Sequence, residues 1–462
     1  MKMIRNLRTT ERGGETRLAF EPLLLEQGGF KIGDNVSLII EKDQIVIIRD
    51  EEGNGVITRR KRAHWSEPRP YFDRCSSAIS SVLRAKERID ILVYSGKLII
   101  RQQQTYELLS VNRETMQGQQ LRKIRLFSLP CGGGLATSNL VETGLYENVG
   151  GLDFWVTAIE AYLHNFNNGM TICSDIKHIH PDYLPQADVC FLSPECDEYS
   201  PLGTRKFGVS SGLSPHFARL IWAMQSSAVI IEQVPAYFNS RAYRQLQTLL
   251  RYDGFTTWHE TQIDSYDYGA VARRNRGYAV AFKKPLDFHW PTAPSIPERF
   301  RQTIGQVIGA GWEQEGEWKP IEGSAMEAIL SKTSSKNNFT AAHNKTLVSL
   351  DSIQMSTIIQ AYRRTQVTSS YLKHPDEDKW RFFTPKELSR LLNVPEWYEF
   401  PVYHSSNQQT ELLGQSVEGT VIRSLGVEVA VSLMGNLVKE SNTFEGGHGI
   451  LENRKGQLEL MI

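Results

Sequence analysis

The sequence has few cysteines for its length, no excess of either charge and no long hydrophobic run. Five cysteines among 462 residues are too few and too scattered for a disulfide framework, and no two have the spacing of a zinc site. Lysine plus arginine and aspartate plus glutamate both number 52, so no global field attracts a polyanion. No apolar run approaches membrane-spanning length, and the first residues lack a signal-peptide core. We expect a soluble cytoplasmic protein with reduced thiols, no membrane contact and no metal site.

Residues 1–112 have the pattern of a separate domain built on a duplicated β-hairpin. Each copy has two apolar runs across a short polar break, which is typical of a hairpin. The four runs are 36–40 and 44–49 in the first copy, and 89–93 and 97–101 in the second. The first copy, with residues 29–34 ahead of it, resembles the swapped-hairpin modules of AbrB-type and SymE-type proteins. That resemblance implies a DNA-binding or dimerising domain, with a homodimer formed through the hairpins.

A basic run, Arg59-Arg60-Lys61-Arg62, lies between the two hairpin copies and is followed by His64 and Trp65. Two interpretations stay open. Most basic runs are solvated loops, whereas some contact nucleic-acid phosphates.

From residue 124 the pattern changes to short apolar runs alternating with helical stretches, which predicts a parallel sheet with crossover helices. The first run leads into a turn containing Gly132 and Gly133. Glycines there let the backbone approach a ligand and open a helix whose amides face it. About 20 residues further on, Asp153 stands where an acid usually holds a ribose hydroxyl. Phe154 is suited to stacking on an adenine, and Asp175 to accepting from its amino group. Taken singly, each acid is better explained as a solvated strand end, and it is their order along the chain that favours a binding site.

A second apolar run, 187–192, ends in a proline and then Cys196. A lone cysteine is more often a core residue, but an open α/β sheet places its chemistry at the carboxyl ends of strands. The next run, 228–231, ends in Glu232, which is suited to act as a partly buried acid. Arg274 and Arg276 stand at alternate positions where a strand begins, so we expect both guanidinium groups to face one site.

Two further stretches are candidates for contacts with nucleic acid. The segment 201–215 after Cys196 is rich in glycine and serine, which predicts a loop that moves, and carries Arg205 and Lys206 as phosphate contacts. The region 287–378 mixes polar and basic groups, among them Arg363 and Arg364, that suit groove and backbone contacts.

In their order along the chain, these motifs resemble those of the DNA cytosine-5 methyltransferases. The family carries a glycine-rich first loop, a Pro-Cys strand end, a Glu-Asn-Val and an Arg-x-Arg in this order. This chain has Gly132-Gly133, Pro194-Glu195-Cys196, Glu232-Gln233-Val234 and Arg274-Asn275-Arg276 at the matching places. Segments 381–395 and 413–417, the latter ahead of an apolar helix at 420–434, are similar to the ninth and tenth blocks of the family. In the ninth, Thr384 also reads as a helix N-cap and Glu387 as its capping-box partner.

The resemblance covers about 124–434 and implies an α/β fold with a doubly wound, mostly parallel sheet. This is the Rossmann-like fold of methyltransferases that depend on S-adenosylmethionine, with a small target-recognition domain. The predicted organisation is the hairpin domain at 1–112, the catalytic domain at 122–286, the target-recognition region at 287–378, a segment closing the catalytic domain at 379–440, and a C-terminal tail at 441–462.

The family resemblance implies S-adenosyl-L-methionine as cofactor and double-stranded DNA as substrate. Cys196 would add to C6 of a flipped-out cytosine, Glu232 would be the acid at N3, and Arg274 and Arg276 would orient the base and favour the thiolate. The matching cofactor-binding positions are Phe127, Gly132, Gly133, Asp153, Phe154, Asp175, Ile176, Pro194, Gln415 and Ser416.

The sequence departs from the family pattern at several positions. Arg125 stands where an acid usually opens the first block, and Glu195 replaces the proline before the nucleophile, placing a negative charge beside a thiol that must ionise. Asp197, Gln233 and Ala272 are further replacements. Three functions therefore stay open: a DNA cytosine-5 methyltransferase of the restriction–modification kind, the same chemistry on a structured RNA such as tRNA, and a DNA-binding regulator with a degenerate methyltransferase body.

Overall fold

The computed structural model describes residues 1–62, 65, 67–103, 123–195, 198–199, 211–331, 340–442, 451–452 and 458–459. The strands in this part of the chain are β1 Met3–Arg8, β2 Thr10–Arg12, β3 Glu15–Phe20, β4 Asn35–Ile40, β5 Gln44–Arg49, β6 Gly55–Val56, β7 Thr58–Arg60, β8 Arg69–Cys75, β9 Arg88–Tyr94, β10 Lys97–Gln102, β11 Ile124–Leu129, β12 Tyr146–Asp153, β13 Met170–Cys173, β14 Val189–Leu192, β15 Ala228–Gln233, β16 Thr257–Asp264, β17 Asn275–Phe282, β18 Lys319–Pro320, β19 Leu347–Val348, β20 Tyr371–Lys373, β21 Lys379–Arg381, β22 Leu451–Glu452 and β23 Leu458–Glu459.

The α-helices in the same ranges are α1 Pro22–Gln27, α2 Ser77–Ser80, α3 Leu135–Glu142, α4 Val156–Asn165, α5 Ser214–Met224, α6 Pro235–Phe238, α7 Arg241–Tyr252, α8 Ile304–Ile308, α9 Ala325–Leu330, α10 Pro385–Leu391, α11 Ser406–Gln415 and α12 Gly419–Asn442. Single turns of 3-10 helix lie at Ile176–His178, Pro181–Tyr183, Ser211–Leu213, Ser265–Tyr268 and Glu298–Phe300. No helix that the described ranges form combines the length and apolar character needed to cross a membrane.

The catalytic part of the main sheet has the strand order β16-β17-β15-β14-β11-β12-β13. Its five strands from β11 to β15 are mutually parallel, and β17 runs antiparallel to both β15 and β16. Strands β14 and β15 are buried along their whole length, as expected for parallel strands covered by helices on both faces. The predicted doubly wound, mostly parallel sheet is thus confirmed for this part of the chain.

This strand order places a crevice at the carboxyl end of β11. Strand β12 pairs with one side of β11 and β14 with the other, so the chain leaves β11 at the point where the winding direction reverses. In open α/β sheets the ligand site lies at this switch point. The glycine-rich turn after β11 and the segment after β14 that leads to Cys196 both begin there.

The N-terminal residues continue the same sheet, in the order β1-β9-β10-β5-β4-β6. The two predicted hairpins are confirmed as β4–β5 and β9–β10, and they pair with each other through β5 and β10. The expectation of a separate domain needs correction, because β1 pairs in parallel with β13, with Ile4 opposite Ile172. The reason is that β1 is hydrogen-bonded on both edges, to β9 of the N-terminal part and to β13 of the catalytic part, so one sheet runs through both. The homodimer through these hairpins stays a prediction.

A smaller sheet, β2-β3-β8-β7, packs against the N-terminal strands of the main sheet. The basic run begins on its edge strand β7, where Arg59 and Arg60 are exposed. The guanidinium of Arg60 lies 4.8 Å from the ring centroid of Tyr71, and Arg62 forms an ion pair with Glu21 at 3.1 Å. Both interpretations of the run, solvation and phosphate contact, stay open; His64 lies outside the described residues.

The region between the two catalytic segments forms a four-stranded sheet, β18-β21-β20-β19, together with the start of the closing segment, because β21 is Lys379–Arg381. Its core is aromatic and shares one hydrophobic cluster with α10. The predicted N-cap of α10 is confirmed, since Thr384 and Glu387 form a reciprocal capping box. Helix α12 then returns to the catalytic sheet, where Val421 and Leu425 pack in the cluster that contains Leu126.

Candidate active site

Asp153, the last residue of β12, has a buried carboxylate beside the glycine-rich turn. The residue is 7% exposed. Its Oδ2 accepts a hydrogen bond from the N–H of Gly132 and its Oδ1 accepts one from the N–H of Trp155, both at 2.9 Å. Burial raises the pKa of Asp153 to about 6; these hydrogen bonds oppose the rise and the negative charge of Glu195 adds to it. A buried carboxyl group whose pKa is raised this far marks a candidate functional site.

The glycine-rich turn leaves open space next to that carboxylate. Gly132 has φ of +52°, in the left-handed region, and no described atom lies within 4 Å of the position that a Cβ would take there. Gly133 is held from behind, because its carbonyl accepts a hydrogen bond from the Tyr398 hydroxyl at 2.6 Å. We call this open space, bordered by Gly132, Gly133 and the Asp153 carboxylate, the cofactor cradle. A side chain at position 132 would fill it, which explains why glycine is suited to that position.

Two side chains predicted to hold the adenine lie at the ends of adjacent strands. Phe154 follows β12 and is 63% exposed, which is unusual for a phenylalanine and leaves its ring free to stack. Asp175 follows β13, is partly buried, and accepts a hydrogen bond from the N–H of Lys177 at 3.0 Å. Because β12 and β13 are paired neighbours, the two residues share one edge of the sheet.

The other predicted cofactor positions differ in exposure. Phe127 is completely buried in the core of the sheet, and Ile176 and Pro194 are buried as well. Gln415 is exposed at the end of α11, whereas the hydroxyl of Ser416 donates to the carbonyl of Leu413 at 2.7 Å and so caps that helix. Roles for these positions in cofactor binding stay predictions.

Glu232 and Arg276 are brought together at the end of β15. Glu232 is 4% exposed, and its Oε1 lies 3.1 Å from Nε of Arg276. Its Oε2 accepts a hydrogen bond from the hydroxyl of Ser193 at 2.9 Å. Ser193 directly follows β14, so a buried carboxyl, a cation and a hydroxyl meet beside the segment that leads to Cys196. Cys196 itself, with Asp197, Arg205 and Lys206, lies outside the described residues.

Arg274 makes different contacts from Arg276. Its guanidinium donates to the carbonyl of Ile358 at 3.0 Å and to that of Gly414 at 3.3 Å. Strand β17 begins at Asn275, so Arg274 precedes the strand and does not follow its alternation. Arg276 thus contacts the Glu232 carboxylate, and these contacts of Arg274 lie at the junction with the target-recognition region and α11. A shared role of the two guanidinium groups stays a prediction.

Ser193 and Gln233 make contacts across strands that the sequence does not predict. The side-chain amide of Gln233 donates to the carbonyl of Pro194, and its Oε1 accepts from the N–H of Val234 at 2.5 Å. Gln233 thereby ties the segment before Cys196 to the end of β15. A hydroxyl beside the proline and an amide beside Glu232 were visible in the sequence, but nothing local indicated that they pair across strands.

Three departures from the family pattern have a structural account. Arg125 forms an ion pair with Asp188 at 2.9 Å and so joins the start of β11 to the residue before β14. Glu195 is exposed. Ala272 is buried and forms a backbone bridge with Met355, where a larger side chain has little room.

The predicted DNA contacts Arg363 and Arg364 are exposed on the target-recognition region. The guanidinium of Arg363 lies 4.9 Å from the ring centroid of Phe382, which holds its stem against the small domain. Contact with DNA stays a prediction for both.

The cradle fits an adenosine carrying an amino-acid tail. A buried carboxylate suits ribose hydroxyls, an exposed aromatic ring suits adenine, and the open space at Gly132 admits an extended tail. Among the residues that the structure describes, no group of three or more His, Cys, Asp or Glu side chains is placed to hold a metal ion. The buried carboxylate, the exposed ring and the open turn are the features that fit an organic cofactor of the S-adenosylmethionine type.

Three features together define the α/β fold of S-adenosylmethionine-dependent methyltransferases. They are the strand order of the sheet, the antiparallel strand β17 between β15 and β16, and the cradle at the end of β11. The family model for C-5 cytosine-specific DNA methylase matches residues 124–430, about two thirds of the chain. The chain belongs to this family. Residues 1–123 precede the matched segment.

Curated relatives agree with this assignment. The type II methyltransferase M.NlaX of Neisseria lactamica is 25% identical over 285 residues, which are 60% of this chain and 86% of the relative. M.MspI of Moraxella sp is 23% identical over 279 residues, 59% of this chain, and the match spans only 62% of M.MspI.

The fold resembles two solved structures. The crystal structure of S. pombe Dnmt2 methyltransferase gives a TM-score of 0.54 at 18% identity and covers 68% of this chain and 99% of that one. The Entamoeba histolytica methyltransferase EhMeth gives 0.51 at 15% identity, with the same coverage. At these identities the likeness establishes the fold.

Proposed function

We propose that the protein transfers a methyl group from S-adenosylmethionine to C5 of a cytosine in double-stranded DNA, through a covalent bond between Cys196 and C6. The observation that carries the proposal is the buried Glu232 carboxyl, held by Arg276 and Ser193 beside the segment leading to Cys196. The family match over residues 124–430 and the type II methyltransferase relatives support DNA as the substrate.

The chemistry explains why a thiol, an acid and a cation are needed together. C5 of cytosine is a poor nucleophile because the aromatic ring does not release electron density there. The Cys196 thiolate adds to C6, breaks the aromaticity and makes C5 enamine-like, which is covalent catalysis by an activated nucleophile. The Glu232 acid, hydrogen-bonded to N3 or protonating it, draws the resulting charge from the ring. Once C5 carries the methyl group, a base removes the proton from C5 and the thiolate is eliminated from C6.

Arg276 orients Glu232 in this proposal. Its Nε forms an ion pair with one carboxyl oxygen, while the Ser193 hydroxyl donates a hydrogen bond to the other, so both oxygens of the carboxyl have a partner before the base binds. Fixed hydrogen-bond donors around a reacting group cost no reorganisation during the reaction. The same positive charge favours a thiolate on a nearby cysteine.

The cofactor would be held by the cradle already described. Asp153 accepts from the ribose hydroxyls, the ring of Phe154 stacks on adenine, and Asp175 accepts from the adenine amino group. When bound, S-adenosylmethionine supplies a methyl group activated by its sulfonium centre. The backbone at Gly132, where a Cβ would meet no described atom, would lie along its methionine end.

A cytosine inside a duplex cannot reach Glu232 or Cys196, so the proposal requires the base to leave the stack. The loop 201–215 and the target-recognition region would hold the opened duplex. Arg205, Lys206, Arg363 and Arg364 are the proposed phosphate contacts; the base sequence is read elsewhere on that region.

The test is transfer of labelled methyl groups from S-adenosylmethionine to duplex DNA and, in parallel, to tRNA. Label on DNA that disappears in Cys196→Ser is the expected result. Label on tRNA alone would replace DNA by a structured RNA as substrate. Label on neither nucleic acid would refute the proposal and favour a DNA-binding regulator.

A further inference from the structure

One side chain from outside the family-matched segment reaches the helices that flank the cofactor cradle. Arg69, on β8, is 9% exposed. Its Nε and Nη2 donate to the two oxygens of Glu26 at 2.8 and 2.5 Å. Its Nη1 lies 3.2 Å from Oε1 of Glu160, a residue of α4. Arg69 therefore joins the N-terminal sheet to a helix of the catalytic part.

The same network continues to the segment that enters α11. The second carboxylate oxygen of Glu160 lies 3.1 Å from Nε2 of His404, whose side chain is completely buried. The guanidinium of Arg69 also lies 4.1 Å from the ring centroid of Tyr403. His404 precedes Ser405, the N-cap of α11. One guanidinium thus connects β8, α4 and the start of α11.

Both helices adjoin predicted cofactor contacts. Helix α4 begins directly after Trp155, whose N–H donates to Asp153. Helix α11 ends at Gln415, one of the predicted contacts. The helices also touch each other: Leu412 packs on Ala158 and Ala161 of α4. A shift of α4 against α11 would therefore move the walls of the cradle.

We infer that Arg69 is a positioning residue for the cofactor, which fixes α4 and α11 relative to each other through Glu160, His404 and Tyr403. The inference rests on the proposed function only in taking the cradle to bind S-adenosylmethionine. Without Arg69, the largely buried carboxylate of Glu160 faces that of Glu26 with no cation between them, and breaking such a buried pair by removing one partner is strongly destabilising locally. Relief of that repulsion would move α4, which carries Glu160, away from α1, which carries Glu26, and so shift α4 against α11.

Arg62 offers a matched control. It also pairs with a glutamate, Glu21 at 3.1 Å, and also lies over the ring of Trp65, at 5.2 Å against 5.4 Å for Arg69. Its side chain is 40% exposed, and its ion pair lies on the surface, where such pairs contribute little.

The experiment measures binding of S-adenosylhomocysteine to the full-length chain by calorimetry, with melting curves to establish folding. We expect Arg69→Met to weaken binding by about tenfold or more, with KM for S-adenosylmethionine rising in parallel and kcat at saturation nearly unchanged. Arg62→Met should leave binding within about twofold of wild type. Adding Glu160→Gln to Arg69→Met should restore part of the affinity, because it removes the carboxylate left without a cation.

Arg69→Lys keeps the charge but loses the bidentate fork, so an intermediate loss of affinity is expected, and it serves if the methionine variant does not fold. Unchanged affinity in a folded Arg69 variant would overturn the inference, as would an equal loss of kcat, cofactor affinity and DNA affinity together. Wild-type protein that bound S-adenosylhomocysteine but transferred no methyl group would refute the proposed function and leave this inference standing. Wild-type protein that bound no S-adenosylhomocysteine would overturn both.

Discussion

The buried carboxyl of Asp153 predicts that cofactor binding weakens as the pH falls. Its pKa is raised to about 6, chiefly by burial, with a further contribution from Glu195. The raised pKa corresponds to roughly 3 kcal/mol of cost for holding the ionised form. Ribose hydroxyls donate to the ionised carboxylate, so protonation removes the acceptor. Below about pH 6 the fraction of the protein in which Asp153 is ionised, and can therefore accept from the ribose, falls about tenfold for each further pH unit.

The magnitude follows from the pKa alone. At about pH 7 nearly all Asp153 is ionised, whereas at about pH 5 roughly one tenth is, so the dissociation constant of S-adenosylhomocysteine should rise about tenfold between them. Calorimetric titration at constant ionic strength measures this directly. Asp153→Asn should bind weakly at every pH, with the tenfold difference gone. Asp175→Asn, the matched control, should keep the difference because Asp153 is intact.

The charges that face Asp153 supply a further check. Glu195, after β14, raises its pKa, and the buried thiol of Cys131 lies close enough to interact with it electrostatically. Glu195→Gln should therefore move the midpoint of the pH dependence to lower pH. Wild-type affinity that stays constant across this range, or a pH dependence that survives in Asp153→Asn, would refute the assignment of Asp153 to the ribose.

Three other outcomes follow from the structure. Glu232→Gln should lower kcat by about 10²-fold or more while cofactor affinity stays constant, because a positioned acid typically supplies that factor; single-turnover kinetics measure it, and an unchanged rate would remove Glu232 from the chemistry. Gln233→Ala should lower kcat by about tenfold with DNA affinity intact, since the tie to Pro194 is lost; matched kinetics and DNA titrations check this, and a change in DNA affinity alone would contradict it. Burial raises the pKa of Asp90, so the stability it contributes is present at acid pH and lost as the pH rises above its ordinary value. The melting temperature of Asp90→Asn relative to wild type should therefore increase from about pH 4 to about pH 7, and a decrease would reverse the sign of the argument.

The fold could be predicted wherever its signal is local. Alternating apolar runs and polar breaks predicted both N-terminal hairpins, and the ordered motifs predicted the doubly wound sheet. The pairing of β1 with β13 could not be predicted, because it joins residues about 170 positions apart and no local pattern specifies a strand's distant neighbour. The domain boundary predicted from the change in the pattern of apolar runs therefore lies within one continuous sheet.

The candidate site shows the same division. Glu232 and Arg276 were predicted from their positions at strand ends, and the structure pairs them. Arg274 was predicted to face the same site as Arg276, and this stays a prediction. Its described contacts, with the carbonyls of Ile358 and Gly414, join residues far apart in the chain, which no local pattern indicates. The contacts of Ser193, Gln233 and Arg69 are long-range side-chain pairings, for which a single sequence contains no periodic signal.

The central claim is the covalent bond between Cys196 and C6 of cytosine, and trapping it is the most direct measurement. Fluorine at C5 cannot leave as the proton does, so duplex DNA synthesised with 5-fluorocytosine should block elimination and retain the adduct. Wild-type protein incubated with this DNA and S-adenosylmethionine should run as a protein–DNA complex on a denaturing gel, and Cys196→Ser should not. A denaturant-stable complex formed equally by Cys196→Ser would contradict the account, and so would methylation of ordinary DNA by that variant.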